Sequence, residues 1–200
     1  LAQPTLNAFY GQFMSRWKNA HSVVRGSSPM PMAFNAPDLY PSHLSDPEAI
    51  LSYYDLLTYL TDDILVKVDR AAMAASLETR VPLLDHRVVE FALRVPTGLK
   101  VDGEKGKLPL RGLLERHVPR EMFDRPKSGF AAPICGWLRG PLRDWAEALL
   151  DEKKLRDEGF FDPKPIRRAW QQHLKRSNNW DKHLWNVLMF QAWKEDRPCV

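Results

Sequence analysis

Apolar residues near the start of the chain follow a helical period only briefly. Leu6, Phe9, Tyr10, Phe13 and Trp17 share one face, which predicts a single helix within residues 5–18. Gly26, Ser27, Ser28, Pro29, Pro31, Pro37 and Pro41 then interrupt every longer pattern, because proline removes an amide donor and clashes with the preceding helical turn. Residues 1–44 therefore read as an irregular, proline-rich lead-in with at most one helix. From Ser45 the pattern changes. Ser45-Asp46-Pro47-Glu48 has the spacing of a capping box, and Ile50, Leu51, Tyr54, Leu57 and Leu60 continue at helical intervals. Thr61 is placed to cap a second helix, with Asp62 and Asp63 in its electropositive first turn. Ile64, Leu65, Val68, Ala71, Ala72 and Ala75 give that helix its apolar stripe.

Further helices are predicted over 85–93, from Pro109 to about Arg116, and over 141–150, 163–176 and 180–194. Asp162 and Pro163 form a cap and first-turn pair for the segment 163–176. Residues 117–133 read as a loop, since Pro119, Pro126, Gly129 and Pro133 forbid long regular structure. No run of four to eight residues alternates as a strand should. The fold class expected is mainly α, with residues 45–200 forming one helical lobe. In such a bundle, chemistry belongs in the loops.

Composition narrows the classes that remain. The chain has 200 residues, 44% hydrophobic and 27% charged, the range of an ordinary globular protein. Its net charge is 29 minus 25, or +4. That suits an anionic partner but falls short of a nucleic-acid footprint. Cys135 and Cys199 form no CxxC pair, and the six histidines include no i, i+4 pair, so neither a disulfide framework nor a zinc site is expected. No apolar run approaches the roughly 18 residues of a membrane span. A reducing cytoplasm is the expected setting. The first residue is Leu rather than Met, so a piece of a longer chain is expected.

Two polar clusters are candidates for chemistry. The first runs through Asp62-Asp63, Lys67, Asp69-Arg70 and Glu78-Thr79-Arg80 to Asp85. Asp63 and Lys67 are four apart and Asp63 and Arg70 seven apart. The spacing alone fits a solvated face laced by weak ion pairs, each about 0.3–0.5 kcal/mol. Glu78 and Arg80 differ. They lie between an alanine-rich stripe and the apolar run Val81-Pro82-Leu83-Leu84, which predicts partial burial and a need for partners. The second cluster is Arg125-Pro126-Lys127-Ser128-Gly129-Phe130. A lysine fixed between proline and Ser-Gly either meets a phosphate as a point charge or is an ordinary surface lysine. The basic residues of 163–176 read as a solvated face. Trp180, Trp185 and Trp193 read as core rather than as a stacking platform.

Together these clusters resemble the asparagine synthase family. The carrying residues are the run Tyr59–Asp85, the Arg125–Phe130 loop, Pro133, Trp137-Leu138-Arg139, and Lys107–Arg111 with Pro109 where the family has a leucine. The resemblance covers roughly residues 50–195. It implies the helical C-terminal lobe of an α/β adenine-nucleotide alpha-hydrolase-like synthetase domain. The family's SGGxDS pyrophosphate loop with its parallel sheet, its GEGxDE motif and its N-terminal cysteine are absent from this sequence.

The implied chemistry is ATP-driven amide formation, with ATP and Mg2+ by resemblance. A carboxylate, aspartate or another acid, is adenylated, and ammonia from a glutaminase domain displaces AMP. Glu78 matches the acid of the E-x-R-x-P-x-L-D turn and is expected to orient or deprotonate ammonia. Arg80 is expected to hold Glu78 or a substrate carboxylate. Lys127 is expected on the α-phosphate and departing pyrophosphate. Asp69, Arg70 and Asp85 match motif positions and are expected to support the turn. A homodimer stays open; neither membrane nor nucleic acid is an expected partner. The alternatives are a catalytically silent helical scaffold, or a sibling amidotransferase or β-lactam synthetase with another acceptor. Cut from its phosphate loop, the segment is expected to be inactive by itself.

Overall fold

Helices dominate the computed structural model, which describes residues 3–28, 30, 32–36, 39, 42–126 and 132–196. The chain divides into two compact units, Leu1–Tyr10 with Pro31–Ser128 and Gly11–Met30 with Gly129–Val200. The expected mainly α class holds.

α1 (Leu6–Met14) begins the chain. The first unit continues with α2 (Pro47–Leu57), a π-helical segment Leu60–Leu65, α3 (Val66–Ala74), α4 (His86–Arg94) and the short α5 (Thr97–Lys100). A two-residue hairpin, β1 (Val101–Asp102) and β2 (Lys105–Gly106), then leads into α6 (Leu108–Leu114). Its buried residues are Tyr10, Ala33, Ile50, Tyr54 and Thr58. The Tyr10 hydroxyl donates to Asp55 Oδ1 at 2.7 Å and lies 2.8 Å from the Thr58 hydroxyl. Burial above all pushes its pKa up to about 12.

Two expectations need correction here. The cap of α2 is Asp46, not Ser45: Asp46 Oδ1 accepts from the Glu48 amide at 3.3 Å. Thr61 caps nothing, because the chain passes from the π-helical segment straight into α3; its hydroxyl donates back to the Leu57 carbonyl at 3.1 Å. The hairpin strands have two residues each, shorter than the four to eight over which no strand pattern is expected. Its Asp102↔Lys105 pair closes a two-residue connection in which Gly103 takes φ +55°, a conformation that glycine adopts without steric cost.

The second unit holds the larger core. It is built from α7 (Ile134–Arg139), α8 (Arg143–Leu149), α9 (Glu152–Glu158), α10 (Pro163–Leu174) and α11 (Asp181–Glu195). The two longest helices bury matching stripes at i, i+3, i+4 and i+7. These are Ile166, Ala169, Trp170 and His173 on α10, and Leu184, Val187, Leu188 and Gln191 on α11. Leu138, Leu149, Leu150 and Leu155 belong to the same buried cluster. An extended strap from the lead-in closes the unit. Val24 pairs with Phe161, the Arg25 amide donates to the Phe160 carbonyl at 2.9 Å, and the Asp162 amide donates to the Val23 carbonyl at 2.9 Å.

His173 is a polar member of this core. Its Nδ1 accepts the Trp180 amide at 3.2 Å, and its Nε2 is buried with no partner among the described residues. Burial, and then the nearby Arg139 guanidinium, lower its pKa, against a smaller pull from Asp181. The unfolded chain thus binds more protons than the folded one below the unperturbed value of about 6.5, so stability rises with pH there. The contribution is complete above that value and is lost as pH falls below it. Thermal unfolding followed between pH 7.5 and 5.0 should show the midpoint dropping, with a shallower drop in His173→Gln. An identical pH slope in that variant would remove His173 as the cause.

Candidate functional site

The turn that carries Glu78 and Arg80 is set by the way α3 ends. Ser76 takes φ +56°, its amide donates to the Met73 carbonyl at 2.9 Å, and the Leu77 amide donates to the Ala72 carbonyl at 2.9 Å. This is a Schellman closure with serine in the left-handed position usually given to glycine. A non-glycine residue held in that region is locally strained, and such residues gather at functional sites. The chain leaves the closure without helix or strand from Leu77 to Val81, and Pro82–Leu84 forms one 3-10 turn. Asp85 then caps α4, accepting from the Arg87 amide at 2.9 Å, and holds the Arg87 guanidinium through two further bonds of 2.9 Å. The Arg87 bonds keep the Asp85 carboxyl below the usual carboxylate range.

Glu78 and Arg80 pair with each other, Arg80 Nη2 lying 2.6 Å from Glu78 Oε1. The expected partial burial is corrected. Their side chains are 68% and 80% exposed. The physical reason lies in the flanks: Val81 and Leu83, the apolar run that suggested burial, are themselves exposed. An ion pair in this setting contributes little to stability, so both groups are free to exchange partners with a ligand.

Asp69 and Arg70 lie on α3, exposed, and no ion pair joins them to another described residue. Asp63 and Lys67 form the anticipated i, i+4 pair at 2.8 Å, and that bond holds the Lys67 ammonium above its ordinary pKa. Asp62 and Asp63 occupy the π-helical segment, a widened turn often found at functional sites. Lys127 lies outside the described residues, so its placement relative to Glu78 and Arg80 is not described.

The approach to the Lys127 loop is described, and it reveals residues the sequence reading did not single out. Asp124 accepts from Arg111 Nη1 at 2.9 Å and from Arg120 Nε at 3.0 Å, and Arg111 Nε donates to the Gly106 carbonyl at 3.0 Å. Two guanidiniums thus fix the loop entry to the hairpin and to the end of α6. The Arg120 and Arg111 bonds, in that order, lower the Asp124 pKa. Arg111 falls inside the matched Lys107–Arg111 stretch, and Asp124 directly precedes the Arg125–Phe130 motif. Adjacency to a motif was the available signal.

Among the described residues no three His, Cys, Asp or Glu side chains converge as metal ligands. Asp63 is already engaged by Lys67. The described residues therefore offer no all-protein magnesium site. No helix among them is long and apolar enough to cross a membrane.

The arrangement defines a helical protein whose charged candidate site sits on loops between capped helices. Comparison with known proteins gives it a family. The family model described as asparagine synthase matches residues 3–195. A Mycobacterium tuberculosis protein provisionally named asparagine synthetase (glutamine-hydrolyzing) is 40% identical over 149 residues, covering 74% of this chain and 22% of that protein. Asparagine synthetase (glutamine-hydrolyzing) 1 of Bacillus subtilis is 32% identical over 143 residues, covering 72% of this chain and 22% of its own length. The mouse asparagine synthetase (glutamine-hydrolyzing) is 27% identical over 155 residues, covering 64% of the chain and 25% of that protein. No solved structure matches. The chain belongs to the asparagine synthase family. It spans about a fifth to a quarter of the length of these curated relatives.

Proposed function

We propose that this chain is part of the synthetase domain of an ATP-dependent, glutamine-hydrolysing amide synthetase, with aspartate as the first acceptor to test. The observation that carries this reading is the Glu78–Arg80 turn in a member of the asparagine synthase family. It is strained at its entry, capped at its exit, and presents an acid and a guanidinium to the outside.

In this reading the acceptor carboxylate becomes an acyl-adenylate and pyrophosphate leaves. Glu78 orients the incoming ammonia and accepts a proton from its nitrogen as the amide bond forms and AMP departs. Arg80 exchanges its contact with Glu78 for a substrate carboxylate, which a guanidinium binds through two parallel hydrogen bonds. Lys127 places its ammonium where negative charge builds on the α-phosphate and leaving group. Asp69 and Arg70 support the turn from α3, and Asp85 supports it as the cap of α4.

The test is pyrophosphate release by a full-length enzyme containing this segment, with ATP, glutamine and a panel of carboxylates. Aspartate-dependent release establishes an asparagine synthetase. Release with a different acid moves the assignment to a sibling amide-forming enzyme, and no release with any acid leaves the segment a scaffold.

A further inference from the structure

A cavity of about 550 Å³ lies in the second unit, distant in sequence from the Glu78 turn, and the proposed function makes no use of it. Trp17, one face of α10, Asn178 and Trp180 line it. Its wall is organised along one face of α10. Lys164, Arg168 and Gln172 stand at i, i+4 and i+8, so about 12 Å of helix separates the first from the last.

The two ends of that stripe differ in chemistry. At the first, Lys164 and Arg168 are both exposed, and neither forms an ion pair among the described residues. Arg167 between them is committed, to Glu147 Oε1 at 2.6 Å and to the Leu150 carbonyl at 3.1 Å. At the other end stand two half-buried indoles, Trp17 and Trp180, stacked with centroids 5.9 Å apart and 19° between their planes. Both indole N–H groups are used internally: Trp17 Nε1 donates to the His183 carbonyl at 3.3 Å and Trp180 Nε1 to Gln172 Oε1 at 2.8 Å. That fixes the rings while leaving ring surface toward the cavity. The Asn178 side-chain Nδ2 also donates to Gln172 Oε1, at 3.4 Å, so Gln172 keeps its Nε2 donor for a ligand.

We propose that this cavity is a second binding site, for a nucleoside monophosphate. The base lies against the Trp17–Trp180 pair with its edge in reach of Gln172, and the phosphate meets Lys164 and Arg168. Stacking on an indole recognises any flat heteroaromatic ring. Two adjacent cations, one a guanidinium, fit a phosphate better than a carboxylate. A ring and an anion separated by one to two helical turns match the two ends of a mononucleotide, and the cavity lies within the usual range for small-ligand sites of about 300–1,000 Å³.

The experiment is calorimetric titration of the chain with AMP, adenosine and inorganic phosphate, all without divalent metal. AMP should bind saturably, with adenosine and phosphate each weaker by about tenfold or more, because each lacks half of the recognition. Arg168→Glu and Lys164→Glu should each weaken AMP by about tenfold while the unfolding midpoint stays put, both side chains being exposed. Lys127→Ala should bind AMP like the parent, which separates this site from the proposed synthetase site. Three results overturn the proposal: no saturable binding of AMP at millimolar concentration, adenosine binding as tightly as AMP, or AMP binding lost in Lys127→Ala but retained in both glutamate variants.

Discussion

Replacing Trp170 with alanine should unfold the second unit more readily than any other single truncation in it. The indole is fully buried, stacks on His173 with centroids 6.1 Å apart, and donates its N–H to Glu147. Removing it forfeits the transfer energy of the largest side chain in the core and leaves a cavity between α10 and α8, a loss of about 3–5 kcal/mol. Glu147 would keep its Arg167 partner but lose the indole bond. Burial raises the pKa of this carboxyl, and the Trp170 and Arg167 bonds outweigh it, so the net direction is down. For a unit of this size the midpoint falls by about 10 °C or more. Trp170→Phe, which keeps a ring but drops the N–H, should lie between the two. Calorimetric scans of the three proteins decide it. A Trp170→Ala midpoint equal to the parent's would mean that the core does not pack around this ring.

The second large effect is expected on catalysis. In a full-length enzyme containing this segment, Lys127→Ala should lower kcat for amide synthesis by about 10²–10³, the usual worth of one preorganised charge contact in a transition state. The unfolding midpoint should not move, which separates a loss of chemistry from a loss of folding. Lys127→Arg should recover part of the rate, because the charge survives while the point-like ammonium geometry does not. Steady-state kinetics with saturating ATP read the outcome directly, and undiminished turnover in Lys127→Ala would take this lysine out of the proposed site.

The long helices were legible because their burial follows a period. Ile166, Ala169, Trp170 and His173 on α10 and their counterparts on α11 bury the face that 3.6-residue spacing designates. α7 and α9 were missed for a related reason. α9 buries Leu155 alone, and α7 buries Leu138 alone around a mid-helix Gly136, so neither has a stripe to detect. The hairpin escaped notice because two-residue strands cannot show an alternation.

At the candidate site the residue types were legible and their exposure was not. Val81-Pro82-Leu83-Leu84 looked like core in isolation, yet a local apolar run says nothing about what packs over it. In the Arg111–Asp124–Arg120 cluster the Arg120–Asp124 pair is an ordinary i, i+4 spacing, but Arg111 joins it across thirteen positions through the fold of the first unit. The Trp17–Trp180 stack is plainer still. Its two rings are more than 160 positions apart, and only the tertiary fold brings them together.

The first unit leaves a good deal of hydrocarbon facing water. Phe91, Leu99 and Leu113 are each more than half exposed, as are Leu77 and Leu83. Patches of this kind promote self-association. What opposes it is a net charge of only +4, a repulsion that dissolved salt screens within about 10 Å at 0.1 M ionic strength. The colloidal behaviour of the chain is therefore governed by ionic strength. Dilute, low-salt buffers keep copies apart, whereas the salt added to suppress nonspecific ion pairing removes the one long-range force that disperses them.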